Sequence, residues 1–476
     1  MSIQSPSIRG VNSRPVAGRT TRVTTAAVAA VALAMSVPSV AAAQSAGQSS
    51  LDPGSLAPSV APGSLFGAPS LSIAASTQIG APIPLTAMLG SLAAVGSTEF
   101  DRPGGSSGTG VTPVAGRDPS ITVSTVLDIA PLWPASTADV DRRAEVWTVT
   151  SASMQREVRV EVYRAPAGVD APNMYFLDGV GSESPSGWSG GMGWGDPEIR
   201  NRHVNVIAPT GGPSSMWADW AEDDPILGRN KWETFLTQEL PELLKVGLDG
   251  VSEPLPHNGS WGVLGVSMGA SSALHLANTF DMFGAAAGVS GAYSTTDELG
   301  YQYARLTVAA RGGDATNMWG PRGSQLWQDH DTVANPSGLA GKSVYLSAAT
   351  GLVGSSELGR FGSNEMVLLD GHILEKGSYE STRALEAALA SVSGVDLKTT
   401  YIPTGIHNWP VFVPQMLPGT DHILAGLKPA TRNGKQTSGA VGERAGGSSA
   451  SSASPGGSLG SSGSAGGTGS LGSSGS

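Results

Sequence analysis

Five residues, Gly265-Val266-Ser267-Met268-Gly269, limit the choice of fold more than any other stretch of this chain. An apolar run, Trp261-Gly262-Val263-Leu264, leads straight into them, and a small-residue run with helical character, Ala270 to Ala277, leaves them. A strand that turns this abruptly into a helix leaves its middle residue on a strained corner. Glycine is needed on either side because neighbouring backbones approach too closely for a Cβ. A serine at such a corner stands above the end of a sheet with its hydroxyl exposed, which makes Ser267 a candidate nucleophile. An ordinary tight turn carries the same five letters, so the pattern around it has to decide.

That pattern is strand and helix in alternation. Glu157-Val158-Arg159-Val160-Glu161-Val162 alternates polar and apolar, as a half-buried antiparallel strand does, with Glu145 to Thr150 as its hairpin partner. Met174 to Leu177, Val204 to Ala208, Trp261 to Leu264 and Val344 to Leu346 are continuous apolar runs, as expected of strands covered on both faces. Helical spacing occurs in Trp232 to Val246, Ala270 to Ala277 and Ser381 to Ala390. The fold class read from this is α/β: a mostly parallel, doubly wound sheet with helices on both faces, the α/β-hydrolase arrangement.

Both ends are too poor in large apolar residues to build a core. Arg9, Arg14, Arg19 and Arg22 precede an apolar stretch from Ala26 to Val40 and then Ala41-Ala42-Ala43, the layout of a secretory signal over residues 1–43. A membrane anchor is the competing reading, but the stretch is short, rich in small residues and interrupted by Pro38. Residues 44–118 read as an Ala/Gly/Ser/Pro linker with one short helix near Leu85 to Leu92, residues 119–430 as one catalytic domain, and residues 431–476 as a disordered Gly/Ser tail. Loss of the four arginines makes the formal net charge of −11 four units more negative. Such an acidic balance argues against nucleic acid and against electrostatic docking on an anionic membrane. Cysteine is absent, so disulfides, a thiolate nucleophile and a lipoprotein anchor are all excluded. The expected location is secreted or cell-envelope, with no membrane span retained after cleavage, no cofactor and no metal.

In an α/β-hydrolase the nucleophile is followed in chain order by an acid and then a histidine. Four histidines lie beyond the helical run that leaves Ser267: His330, His372, His407 and His422. His407 lies in Gly405-Ile406-His407-Asn408-Trp409, just beyond the strand-like Lys398 to Ile402, where an imidazole can lean over the corner. His422 falls in the last helical pattern, and His330, between Asp329 and Asp331, reads as an exposed-loop residue. For the acid, Glu357, Asp370 and Glu375 all follow the strand ending near Ser347, and proximity to that strand favours Glu357. An oxyanion needs two backbone N–H donors. Met268 supplies one, and Val180, in the turn Leu177-Asp178-Gly179-Val180, is the natural second.

Several motifs resemble the antigen-85 mycolyltransferases and the related corynebacterial trehalose corynomycolyltransferases. They are Phe176-Leu177-Asp178-Gly179, Pro209 to Ser215 with Asp219-Trp220, Lys231-Trp232-Glu233-Thr234-Phe235-Leu236 and Gly265 to Ala270. Met318-Trp319-Gly320-Pro321 and Gly405 to Trp409 extend the match, which runs in order from about Ala171 to Pro418. The resemblance implies a Ser-Glu-His acyltransferase that moves a long 2-alkyl-3-hydroxy acyl group between trehalose esters or onto wall arabinan. Its partners would be trehalose mycolate-type glycolipids and cell-wall glycan. The family acid lies ahead of the helix that precedes the histidine strand, which implies Glu375 rather than Glu357, with Asp370 in reserve. Asp178 and Trp409 match positions lining the family's sugar site, and Trp319 matches a motif near the pocket. Tryptophans 188, 194, 217 and 220 are further candidates for stacking on sugar or lining an acyl groove.

The chain departs from the family pattern in three places. Gly181 stands where an arginine contacts sugar, Asn408 replaces a serine, and Ser381 replaces a cysteine. The first departure keeps open a carboxylesterase acting on lipid or glycolipid esters. A non-catalytic wall- or matrix-binding protein is the rival from another class, and it gives no reason for Ser267, Glu375 and His407 to occur together.

Overall fold

The computed structural model describes residues 116–132, 144–166, 170–182, 184–189, 199, 202–362 and 365–427. The signal segment, almost all of the linker including its short helix, the Gly/Ser tail and Trp194 lie outside the described residues.

Nine strands of the described residues form one sheet. They are β1 (Val126–Pro131), β2 (Ala144–Ser151), β3 (Arg156–Tyr163), β4 (Ala171–Leu177), β5 (Asn205–Pro209), β6 (His257–Val266), β7 (Phe283–Val289), β8 (Ser343–Ala349) and β9 (Asp396–Ile402). Their order across the sheet is β1-β2-β3-β5-β4-β6-β7-β8-β9. β2 and β3 form the expected hairpin, with Trp147 opposite Val160, and β3 pairs antiparallel with β5. From β5 onward every pairing is parallel. The apolar runs of the sequence coincide with these inner strands, which are buried along most of their lengths.

The helices are α1 (Trp232–Thr234, a π turn at Phe235–Glu239, then Leu240–Val246), α2 (Met268–Thr279), α3 (Glu298–Ala309), α4 (Ala315–Trp319), α5 (Gln325–Asp329), α6 (Ser355–Phe361), α7 (Glu365–Leu389) and α8 (Trp409–Leu427). Two apolar layers sandwich the sheet. One unites α1 and α2 with β-strand residues such as Tyr175 and Val263; the other packs Val411, Phe412, Met416 and Ile423 of α8 on Leu264, Ala287 and Tyr345. This is the α/β-hydrolase architecture expected from the sequence. No helix among the described residues is long and apolar enough to cross a membrane.

One strand is added to the sequence reading and two local readings are corrected. β7, Phe-Gly-Ala-Ala-Ala-Gly-Val, carries little strand propensity, and it is a strand because β6 and β8 pair with it on both sides. The helix expected over Ser381 to Ala390 begins sixteen residues earlier, at Glu365. Glu375 is therefore inside the helix rather than ahead of it. Finally, the alternation in β3 places Glu161 on the same face as the exposed Glu157 and Arg159, yet Glu161 is fully buried, because the chain around Ser186 covers it.

The order reversal fixes where a site can form. After β4 the chain adds β5 on one side of it and β6 on the other. A crevice opens at the carboxyl ends of β4 and β6, the topological switch point of an open α/β sheet. Leu177-Asp178 leave one strand there and Val266-Ser267 leave the other.

Candidate active site

Ser267 occupies the corner between β6 and α2 with φ 55° and ψ −121°. A non-glycine residue reaches that conformation only where its surroundings enforce it. A Cβ on Gly265 would lie 2.0 Å from the carbonyl oxygen of Gly269, and one on Gly269 would lie 2.3 Å from that of Leu177. Both glycines are thus required for β6, α2 and the exit of β4 to meet. The Ser267 N–H donates to Val289 O at 2.9 Å, tying the corner to β7.

The three groups proposed from sequence come together. Ser267 Oγ lies 2.8 Å from His407 Nε2, and His407 Nδ1 lies 2.7 Å from Glu375 Oε2. His407 and Glu375 are 2 % and 0 % exposed, so the pair is dry while Ser267 retains some access. Glu375 Oε1 accepts two further bonds, from the Ser290 hydroxyl at 2.7 Å and the Ala349 N–H at 2.6 Å. Ser290 and Ala349 were not singled out from the sequence; the Gly288-Val289-Ser290-Gly291 turn, where Ser290 has φ 55°, is the local signal. His407 N donates to Gly371 O in mid α7 at 2.9 Å, and its ring packs edge-on against Phe412 at 4.9 Å. Both ring nitrogens are then occupied. Glu357 binds instead the N–H of Gly354 at 2.9 Å, capping α6, so neither it nor Asp370 takes the place beside the imidazole.

The exit of β4 runs beside the serine. A Cβ on Gly179 would lie 3.2 Å from Ser267 Cβ, which places the Gly179-Val180 backbone at the hydroxyl. Met268 is the first residue of α2, so its N–H has no acceptor within the helix. A negative charge developing beside Met268 N faces a free amide donor and the positive end of a helix dipole.

The model of the putative esterase family matches residues 151–423, more than half of the chain. The diacylglycerol acyltransferase/mycolyltransferase Ag85A of Mycobacterium ulcerans is 30 % identical over 310 residues, covering 62 % of this chain and 85 % of that protein. The Ag85B enzyme of Mycobacterium intracellulare is 30 % identical over 276 residues, 56 % of this chain and 78 % of that protein. This chain belongs to the antigen-85 family of esterases. Among solved structures, Mycobacterium tuberculosis MPT51 aligns with TM-score 0.46 and 24 % identity, covering 60 % of this chain and 99 % of that one. As a family member the chain is an enzyme of acyl transfer or ester hydrolysis.

The antigen-85 motifs turn out to be mutual supports. Ser214 N donates to Val180 O at 3.0 Å, and Trp217 Nε1 to Asp178 O at 2.9 Å, so the loop after β5 holds the Asp178–Val180 backbone in place. The same loop reaches α2, where the Ser272 hydroxyl donates to Met216 O. Asp219 accepts from the N–H and hydroxyl of Thr234 at 3.1 and 2.6 Å, locking the loop to α1. Trp188, Trp217 and Trp220 are enclosed, which makes them framework. Trp319 is enclosed as well, stacked on His330 at 4.2 Å and edge-on to Trp327 at 5.0 Å. Trp409 is partly exposed beside His407.

Asp178 is 2 % exposed, and burial pushes its carboxyl up to about 7 against the Ser186 hydroxyl and the Gly187 N–H, which favour its charge. Glu233, His275 and His330 are the described group whose donor atoms suit a metal, all within 4.8 Å. Here they bond to one another: His275 Nε2 and His330 Nε2 lie 2.9 and 3.0 Å from Glu233 Oε1. His330 Nδ1 also faces Leu326 O at 2.8 Å. Both its nitrogens therefore face acceptors. Burial alone would raise the Glu233 carboxyl, but the two histidines outweigh it and hold the group well below the usual range. His330 is thus a buried partner in the framework, not an exposed-loop residue.

Proposed function

We propose that this chain is a secreted acyltransferase that moves a mycolyl-type acyl group between trehalose esters, or onto cell-wall glycan, through an acyl-enzyme on Ser267. The observation that carries this reading is the unbroken hydrogen-bonded series Ser267 Oγ, His407 Nε2, His407 Nδ1, Glu375 Oε2, with distances of 2.8 and 2.7 Å. Neutral His407 donates its Nδ1–H to Glu375 and accepts the Ser267 proton at Nε2. The alkoxide attacks the ester carbonyl, and the oxyanion is held by the N–H groups of Val180 and Met268. Collapse expels the sugar hydroxyl, which leaves with the proton from Nε2. A second hydroxyl gives its proton to His407, attacks the acyl-enzyme and carries the acyl group away, returning Ser267 to its free form.

Asp178 and Trp409 are assigned to sugar, and Trp319 to the wall behind it. Residues 1–43 are assigned to a leader that is removed on export, and 119–430 to the catalytic domain. The test is intact-protein mass spectrometry after exposure to trehalose monomycolate. The native chain should gain one acyl mass and Ser267→Ala none; an unmodified native chain that nonetheless binds the glycolipid would reject catalysis.

Gly181 favours a second reading, hydrolysis. It offers no side chain where relatives place a sugar-contacting arginine, so water competes better for the acyl-enzyme. Free acid without dimycolate in the same incubation would select it.

A further inference from the structure

Two buried carboxyl groups lie under one loop next to the site, and neither has a role in the acyl cycle above beyond the contact with sugar assigned to Asp178. Glu161 on β3 is 0 % exposed, and its Oε1 accepts the N–H of Ser186 at 2.8 Å. Asp178 Oδ2 accepts the N–H of the next residue, Gly187, at 3.1 Å. Each acid leaves one buried oxygen, Glu161 Oε2 and Asp178 Oδ1, without a hydrogen bond among the described residues. Val146 of β2 and Ala208 of β5 flank Glu161 in the sheet. The charged group bearing on Glu161 is Arg159 on its own strand, and Ser189 and Ser186 are its polar neighbours. The charged group bearing on Asp178 is Glu161 itself.

The loop they hold is the seat of Trp409. A Cβ on Gly187 would fall 2.1 Å from Cζ2 of Trp409, so the backbone lies flat against that ring. Trp188 meets the same ring edge-on at 5.2 Å. Trp409 is two residues beyond His407 and packs on Phe412, which also packs on His407.

The geometry points to Glu161 and Asp178 as a two-carboxyl clamp that, through residues 186–188 and Trp409, positions the His407 loop. With one acid protonated the pair carries a single charge. With the proton gone, two like charges share a dry site with no bonded cation among the described residues. The repulsion is relieved by lifting the loop, which unseats Trp409. Burial raises both acids, Asp178 to about 7, so release falls near neutral pH. Glu161 is a positioning residue. Its effect on activity rests on Ser267 being the reactive group; its hold on the loop does not.

Two measurements on the full chain test the clamp. The first is the rate of labelling by a fluorophosphonate from pH 5 to 9. In the native protein the rate should fall by about fivefold or more between pH 7 and 8.5. Glu161→Gln retains an acceptor for Ser186 and carries no charge, so its rate should show no alkaline fall. A native profile without the fall, or a variant profile that superimposes on it, overturns the clamp. The second measurement needs no variant and no activity. Hydrogen exchange of the amides of 186–188, corrected for intrinsic rate, should show protection dropping about tenfold from pH 6 to 8.5; unchanged protection overturns the proposal. A chain unlabelled at every pH instead removes the serine reading and leaves the exchange result to judge the clamp.

Discussion

At Glu375 three donors converge on one buried carboxylate, from His407, Ser290 and Ala349. Replacement by glutamine keeps the shape, but an amide neither holds the imidazole in the required tautomer nor stabilises imidazolium. Glu375→Gln should therefore lower kcat about 10²–10⁴-fold with KM little changed, measured on a chromogenic ester. Ser290→Ala removes one of the carboxylate's supports and should reduce kcat about tenfold, consistent with one lost charge-assisted hydrogen bond. Asp178→Asn relieves a buried acid. Its folded-state carboxyl is raised to about 7, above the unfolded value, so its stabilising contribution is present below about pH 4 and is lost as pH rises through 7. The variant should gain on the order of 2–4 kcal/mol over the native chain at pH 8, read by urea unfolding, and lose that advantage at pH 4.

Among the elements, the β6–α2 corner depends on backbone approach more than on side chains. Gly269→Ala would set a methyl 2.3 Å from Leu177 O and 2.6 Å from Asp178 O, both backbone atoms that cannot swing aside. The expected outcome is a loss of roughly 3 kcal/mol or more together with loss of fluorophosphonate labelling, because the β4 exit and the serine separate as one event. A variant that folds with native stability and labels normally would show that the corner relaxes without cost. The loop after β5 works alongside it, since Ser214, Trp217 and Met216 hold Val180, Asp178 and α2 respectively.

For the molecule as a whole, the Glu233–His275–His330 group joins α1, α2 and the segment after α5 across the core. Glu233 is held below its unfolded value, so its contribution is present above about pH 4.3 and is lost as pH falls through the folded value. Glu233→Gln should lower stability at pH 7 by roughly 1–3 kcal/mol, since it removes the carboxylate that two buried imidazoles share. The gap between variant and native chain should narrow on acidification below pH 4, measured as urea midpoints. A constant gap across that range would assign the loss to packing instead of charge.

Periodicity alone carried the chain to its architecture. Buried parallel strands advertise themselves as unbroken apolar runs, and the Gly-x-Ser-x-Gly corner announced where the sheet presents a nucleophile. Chain order and the loop after the strand-like Lys398 to Ile402 then narrowed the histidines to His407, and the antigen-85 motifs pointed to Glu375. What the linear pattern concealed depends on neighbours distant in sequence. β7 is a strand because two others flank it, Glu375 lies in the middle of a helix whose first half has no clear period, and Ser290 becomes a support only when β7 and α7 meet. His330 and Glu161 look like solvent-facing residues in any local window. Each is buried because a remote segment folds over it, and whether a charged side chain faces water or a partner is decided by that closure, not by its own stretch of chain.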